Sequence, residues 1–148
     1  MKNYEINIET LAILPIDENK SKIIEKNREL IINNIPLKII DESCKFFGSS
    51  YNGRFDGTKS ILGISHKSPI IIEESKHIIF FPTTSPRLLC CSWISLNNID
   101  SYFKCNDKTI IKFSCGKTLE LKLSYGIIDN QVLRASRLES ILLKRIIK

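Results

Sequence analysis

The sequence predicts a β-rich α+β domain, and three observations carry that expectation. Short isoleucine-rich apolar runs recur between turn-forming residues along most of the chain. Thr109–Phe113 and Thr118–Leu123 flank Gly116, whose freedom to take positive φ suits a tight hairpin. A long amphipathic segment free of Gly and Pro follows from Gln131 to the C-terminus. The short antiparallel strands are expected to curl into a small barrel or half-barrel, with the C-terminal amphipathic helix across an open edge or end. A winged helix fits poorly, because no helix-turn-helix pair precedes the hairpin.

In chain order, Tyr4–Leu14 alternates polar and apolar residues and ends at Pro15. Lys22–Glu25 and Glu29–Asn33 surround Lys26-Asn-Arg28 and read as a hairpin. Pro36–Phe47 opens with a proline, tolerated in a first turn, and spaces Leu37, Ile40, Cys44 and Phe47 as a helix does. Ser60–Ile64, Ile70–Glu73 and His77–Phe81 are three further short strands, the last stopped by Pro82.

For the terminal helix, Asp129 or Asn130 is the expected cap. At about 100° per residue, Val132, Ala135, Leu142, Leu143, Ile146 and Ile147 share one side. Arg134, Arg137, Lys144, Arg145 and Lys148 gather on the other, where Leu138 and Ile141 intrude. That basic side reads as a solvated outer surface, a phosphate-contacting face or a docking face for a second subunit.

Composition narrows the class. The 148 residues, 43% hydrophobic and 26% charged, suit one domain spanning 1–148 with one core. No run approaches the roughly 18 apolar residues of a membrane span. The N-terminus lacks the basic start and apolar stretch of a signal peptide, so a cytoplasmic location is expected. Five cysteines, an odd number without C-x-x-C spacing, argue against a disulfide framework or zinc site, and no cofactor is indicated. The net charge of +6 is unevenly spread. Lys/Arg stand against Asp/Glu as five to six over residues 1–34, seven to five over 35–91 and ten to five over 92–148. A polyanionic partner contacting mainly the C-terminal half fits that gradient.

The segment Gly48–Lys59 is the longest polar, glycine-rich stretch and reads as a loop. Ser49, Ser50, Tyr51 and Asn52 offer hydrogen-bonding groups, while Arg54 and Lys59 bring charge suited to phosphate or a groove edge. As a nucleotide loop it fails, since Arg54 and Phe55 stand where Lys and Ser/Thr are needed. Two further polar clusters, Ser65-His66-Lys67-Ser-Pro69 and Pro82-Thr-Thr-Ser-Pro-Arg87, punctuate strands. Were the fold to bring these loops together, Arg54, Lys59, Lys67 and Arg87 would form one basic rim. An enzyme is a weak reading: Cys44 or Ser50 with His66 lacks a third, orienting group. Trp93 is read as a core anchor rather than a base-stacking residue.

Several motifs together resemble the competence transcription factor (ComK) family. They are Ser43-Cys-Lys-Phe-Phe-Gly-Ser-Ser-Tyr-Asn-Gly-Arg54, Ile64-Ser-His-Lys-Ser-Pro-Ile70, Phe80-Phe-Pro-Thr83 and Cys91-Ser-Trp-Ile-Ser95. Gly116-Lys-Thr-Leu-Glu-Leu121, Asn130-Gln131 and Ser21-Lys-Ile-Ile-Glu-Lys26 add to them, in family order over nearly the whole chain. The resemblance implies a transcriptional activator of DNA-uptake and recombination genes. It implies binding to paired A/T-rich boxes of double-stranded DNA, mainly through the minor groove, as a homodimer or dimer of dimers. From charge and loop chemistry, rather than from the resemblance, Arg54 with support from Lys59 and Lys67 is expected to reach into the groove. Ser49, Ser50, Tyr51, Asn52, His66 and Arg87 are expected to belong to the same contact set, and the terminal-helix cations, Arg134 and Arg137 among them, to contact phosphates. Longer family members carry a further C-terminal tail read by a proteolytic adaptor. This sequence stops at Lys148, which sets control by such an adaptor in doubt. The competing readings are a protein-interaction module, using strand edges and the terminal helix, and a non-activating paralogue that dimerises with a full-length relative.

Overall fold

A computed structural model describes residues 3–146. Nine strands and three helices are present among them. A six-stranded sheet has the order β3-β2-β1-β6-β5-β4, built from β1 (Thr10–Pro15), β2 (Ser21–Glu25), β3 (Glu29–Ile32), β4 (Ile70–Glu73), β5 (Ile78–Pro82) and β6 (Trp93–Ser95). A three-stranded sheet joins β7 (Ile99–Cys105), β8 (Lys108–Phe113) and β9 (Thr118–Leu121). All pairings are antiparallel. The helices are α1 (Pro36–Phe46), α2 (Tyr51–Leu62) and α3 (Tyr125–Ile146). The α+β expectation holds, and the strands form an open arrangement rather than a closed barrel.

The large sheet is buried on both faces, and the two-residue period of its strands sorts each face. Ile13, Ile23, Ile70, Ile72, Phe80 and Trp93 pack with Ile39, Ile40 and Cys44 of α1, joined by Tyr51 and Phe55 of α2. The alternate positions Ala12, Ile24, Ile71, Ile79, Phe81 and Ile94 pack with Ile111 and Phe113 of β8 and Ala135 and Leu138 of α3. Uninterrupted runs such as Ile70-Ile-Ile72 and Ile78-Ile-Phe-Phe81 follow from that two-sided burial. Each fully buried side chain contributes about 1.5–3 kcal/mol.

Several expected boundaries move, each for a local reason. Residues 4–9 do not extend β1. Asn7 Oδ1 accepts from the Glu9 amide (2.8 Å) and Thr10 N–H donates to the Asn7 carbonyl (3.0 Å), which turns the chain just before Thr10. Pro82 is the last residue of β5, paired with Trp93, rather than a stop beyond it. The hairpins β2–β3 and β8–β9 form as expected, and Gly116 takes φ +98° in the second turn. Helix α3 starts at Tyr125, not Gln131, so Asp129 and Asn130 lie inside it. Ser124 precedes it, its carbonyl accepting from the Ile128 amide (3.3 Å), while Asp129 accepts from the Tyr102 hydroxyl (2.6 Å) and ties α3 to β7.

The main correction concerns Gly48–Lys59 and Ser60–Ile64. Residues 51–62 are one helix, not a loop followed by a strand. Ser50 Oγ accepts from the Gly53 amide (3.0 Å) and Asp41 from the Tyr51 amide (2.9 Å), so the N-terminus is capped from two directions. Gly63 ends the helix at φ +72°. Tyr51, Phe55, Thr58 and Leu62 form its inward stripe, and Thr58 is fully buried.

A buried polar group anchors the start of the chain. The Tyr4 hydroxyl lies against Thr10 Oγ1 (2.6 Å) and donates to Glu25, which also accepts from Arg28 Nε (2.7 Å). Burial alone would raise the Glu25 carboxyl, but hydrogen bonds from Arg28 and Tyr4 outweigh it and hold the group below its ordinary value. Stability from this group is therefore present above the unfolded pKa, about 4.3 for Glu, and is lost as pH falls through the lower folded value. Glu25→Gln removes the charge, so urea titrations are expected to show a lower plateau near neutrality and a shallower acid limb than wild type.

The two interior glycines of α2 make opposite predictions. A Cβ at Gly57 meets nothing within 4 Å, so Gly57→Ala is expected to raise the urea-unfolding free energy by about 0.5–1 kcal/mol. At Gly53 a Cβ would meet Ser49 Oγ and Ser50 Oγ at 3.2 Å, against the helix cap. Gly53→Ala is expected to give no such gain in the same assay.

Candidate nucleic-acid interface

Three segments meet around an open cleft of about 650 Å³. The first turns of α2 supply Tyr51, Asn52 and Phe55; the α2–β4 loop supplies Ser65, His66 and Lys67; the β5–β6 loop supplies Ser85, Pro86 and Arg87. Leu37 of α1 completes the wall. Tyr51 is half-buried, edge-on to Trp93 (centroids 6.2 Å, planes 88° apart) and tilted against Phe55 (6.1 Å). Trp93 is fully buried, the core anchor expected of it.

Of the residues singled out in the sequence, Tyr51, Asn52, His66, Lys67 and Arg87 are brought together here. Lys59 lies on the exposed side of α2 and does not line the cleft. Ser49 and Ser50 also stand outside it, Ser50 capping the helix. Arg54 turns away: its guanidinium donates to Glu74 (2.8 Å), its side chain is only 18% exposed and its Nε is buried without a partner. It ties α2 to the β4–β5 turn. The basic rim is thus built from Lys67 and Arg87, with Arg134 behind it.

Helix α3 holds one wall of the cleft in place. Gln131, fully buried, donates from Nε2 to the Lys67 carbonyl (2.9 Å) and the Pro82 carbonyl (2.7 Å). Arg134 donates to the His66 carbonyl (2.9 Å). From the other side, the Thr58 hydroxyl of α2 donates to the Pro69 carbonyl (2.7 Å). Within this clamp Lys67 takes φ +48°, a conformation costing a non-glycine residue about 1–2 kcal/mol. Arg134 and Arg137 therefore differ: the first braces the loop and the second is exposed.

The packing stripe of α3 is Ile128, Gln131, Ala135 and Leu138, rotated from the expected one. Leu138, read as an intruder on the basic side, is fully buried, and Ile146 is 60% exposed. The stripe begins at Ile128 because the helix begins earlier, and it is set by β5, β8 and α2. Ile147 and Lys148 lie outside the described residues. The sequence marks Gln131 as a helix start and as part of a family motif, not as a clamp; a polar residue one turn before Ala135 on the packing stripe is the available signal.

Cys44 and Ser50 do not line the cleft that holds His66. Burial pushes the Cys44 thiol up to about 12, and the Ser50 hydroxyl is engaged at the α2 cap. Among the described residues no helix is long and apolar enough to cross a membrane.

Fold and cleft together define a β-rich α+β domain presenting two cationic loops beside a helix N-terminus. The profile of the ComK protein family matches residues 1–147. The chain is 44% identical over 144 residues to a protein named competence transcription factor from Bacillus subtilis (strain 168), covering 95% of this chain and 75% of that one. It belongs to the ComK family. No solved structure matches it.

The clamp has a direct consequence. Gln131→Leu leaves the Lys67 and Pro82 carbonyls without their donor, and a buried unsatisfied group costs about 1–3 kcal/mol. Thermal unfolding is expected at a lower temperature, and amides of residues 65–69 are expected to exchange faster in hydrogen-exchange measurements. Unchanged exchange there would show that the loop is held by other contacts.

Proposed function

We propose that this chain is a sequence-specific, DNA-binding transcriptional regulator of competence genes that engages paired A/T-rich boxes through the minor groove. The observation that carries the reading is the convergence of Lys67 and Arg87, from separate loops, on one cleft beside the α2 N-terminus. Family membership supplies the class of target. A narrow A/T-tract groove concentrates negative potential and attracts a few loop-borne cations. Its hydrogen-bonding pattern separates A·T from G·C and little else, so two cations with Asn52 and His66 match the information required. Exposed Arg137, Lys144 and Arg145 on α3 add phosphate contacts or face a second subunit. Assembly as a dimer or dimer of dimers on paired boxes, in the cytoplasm, belongs to the same proposal.

Arg54 plays a supporting part in this reading, since its guanidinium is already paired with Glu74. Arg54→Ala is expected to lower stability and leave the preference for A/T boxes nearly intact. A lost preference at unchanged stability would return Arg54 to the groove-reading set.

Salt titration tests the reading directly. Binding to an A/T-rich duplex is expected to weaken log-linearly with salt. Lys67→Ala and Arg87→Ala are each expected to flatten the slope by about one and to weaken binding by about 1–3 kcal/mol where a base edge is contacted. Footprinting on a promoter with paired boxes should show protection abolished by a minor-groove competitor and retained with a major-groove one. Absence of any complex at low salt would remove DNA binding and favour a protein-interaction module.

A further inference from the structure

The β5–β6 loop carries a feature the core does not explain. Leu88 and Leu89 stand 53% and 65% exposed at its tip. Single exposed leucines are ordinary, but these two are adjacent and the loop bearing them is braced. The Thr83 amide donates to the Ser92 carbonyl (2.9 Å), and the Ser92 amide donates to Thr83 Oγ1 (3.0 Å), closing the loop base. The Leu88 amide donates to the Ser85 carbonyl (3.0 Å) and the Cys91 amide to the Leu88 carbonyl (3.2 Å), so two consecutive turns sharing Leu88 hold the tip. The leucines therefore do not reach solvent by fraying.

Their position relates them to the cleft. Arg87, which lines it, immediately precedes Leu88. Leu88 and Leu89 stand outside the cleft and line a small cavity beside it, with Arg87 and Leu37 common to both, so a duplex held by Arg87 lies within reach of the loop tip. Minor-groove proteins often insert apolar side chains between base steps, partly unstacking the bases and offsetting a few kcal/mol of lost stacking with added contact.

We infer that Leu88 and Leu89 form an apolar wedge that enters the minor groove and unstacks one base step in each A/T box. The inference rests on the DNA-binding reading above and adds the residues that deform the duplex. A flexible A/T step is unstacked at lower cost than a stiff one, so the wedge adds selectivity at base pairs that receive no hydrogen bond.

The test uses the full chain and a paired-box duplex carrying 2-aminopurine at the step under examination. Wild type is expected to raise the 2-aminopurine fluorescence several-fold on binding. Leu88→Ala with Leu89→Ala should abolish the rise and weaken binding about tenfold, equivalent to about 1.4 kcal/mol, with the salt slope unchanged. Leu88→Met with Leu89→Met, which keeps apolar bulk, should restore the signal. Urea unfolding of each variant checks that the fold is intact, as expected for side chains this exposed. An undiminished fluorescence rise in the alanine variant overturns the wedge. So does loss of self-association as the primary defect, which would make the leucines a subunit interface. Salt-dependent wild-type binding without any fluorescence rise sinks the wedge and leaves the DNA reading standing. No wild-type binding at low salt removes both.

Discussion

The constraint on which the rest of the structure depends is the burial of the six-stranded sheet on both faces. A sheet covered on one side tolerates alternating polar residues, whereas this one needs partners for both sets of side chains. Helices α1 and α2 cover one face; α3 and the three-stranded sheet cover the other. That division fixes where each loop emerges. The α2–β4 and β5–β6 loops come out beside each other because β4 and β5 are neighbours and α2 packs against β4. The cationic cleft is a consequence of that layering.

The cleft also shows how the two layers communicate. Gln131 and Arg134 reach from α3 to the backbone of the α2–β4 loop, and Thr58 reaches the same loop from α2. A loop held from both sides keeps Lys67 in a strained conformation that a free loop would abandon. The brace fixes the direction in which the Lys67 side chain leaves the backbone, while its own torsions stay free. Helix α3 is thus the element that grips this wall.

Much of the fold was legible in the sequence because strand periodicity and turn residues are local signals. The hairpins β2–β3 and β8–β9, strands β4 and β5 and helix α1 were all readable from them. Helix α2 was not. Gly53 and Gly57 lower its intrinsic helix propensity, and its caps come partly from Asp41, ten residues away. Its inward stripe of Tyr51, Phe55, Thr58 and Leu62 is interrupted by a polar residue that is buried only because it bonds the Pro69 carbonyl. Strand β7 was missed for a related reason, since most of it is exposed and it is held by pairing with β8.

The sequence by itself determined the class of fold, the family and the residue types from which the proposed DNA contact is drawn. Those follow from local periodicity, composition and motif order. Only the tertiary structure decided which cations share a surface. It grouped Lys67 and Arg87 with Tyr51, Asn52 and His66, turned Arg54 to Glu74 and made Arg134 a brace. The reason is that a charged side chain far along the chain is assigned to solvent, ion pair or carbonyl by strand order and layer packing, neither of which any short segment encodes.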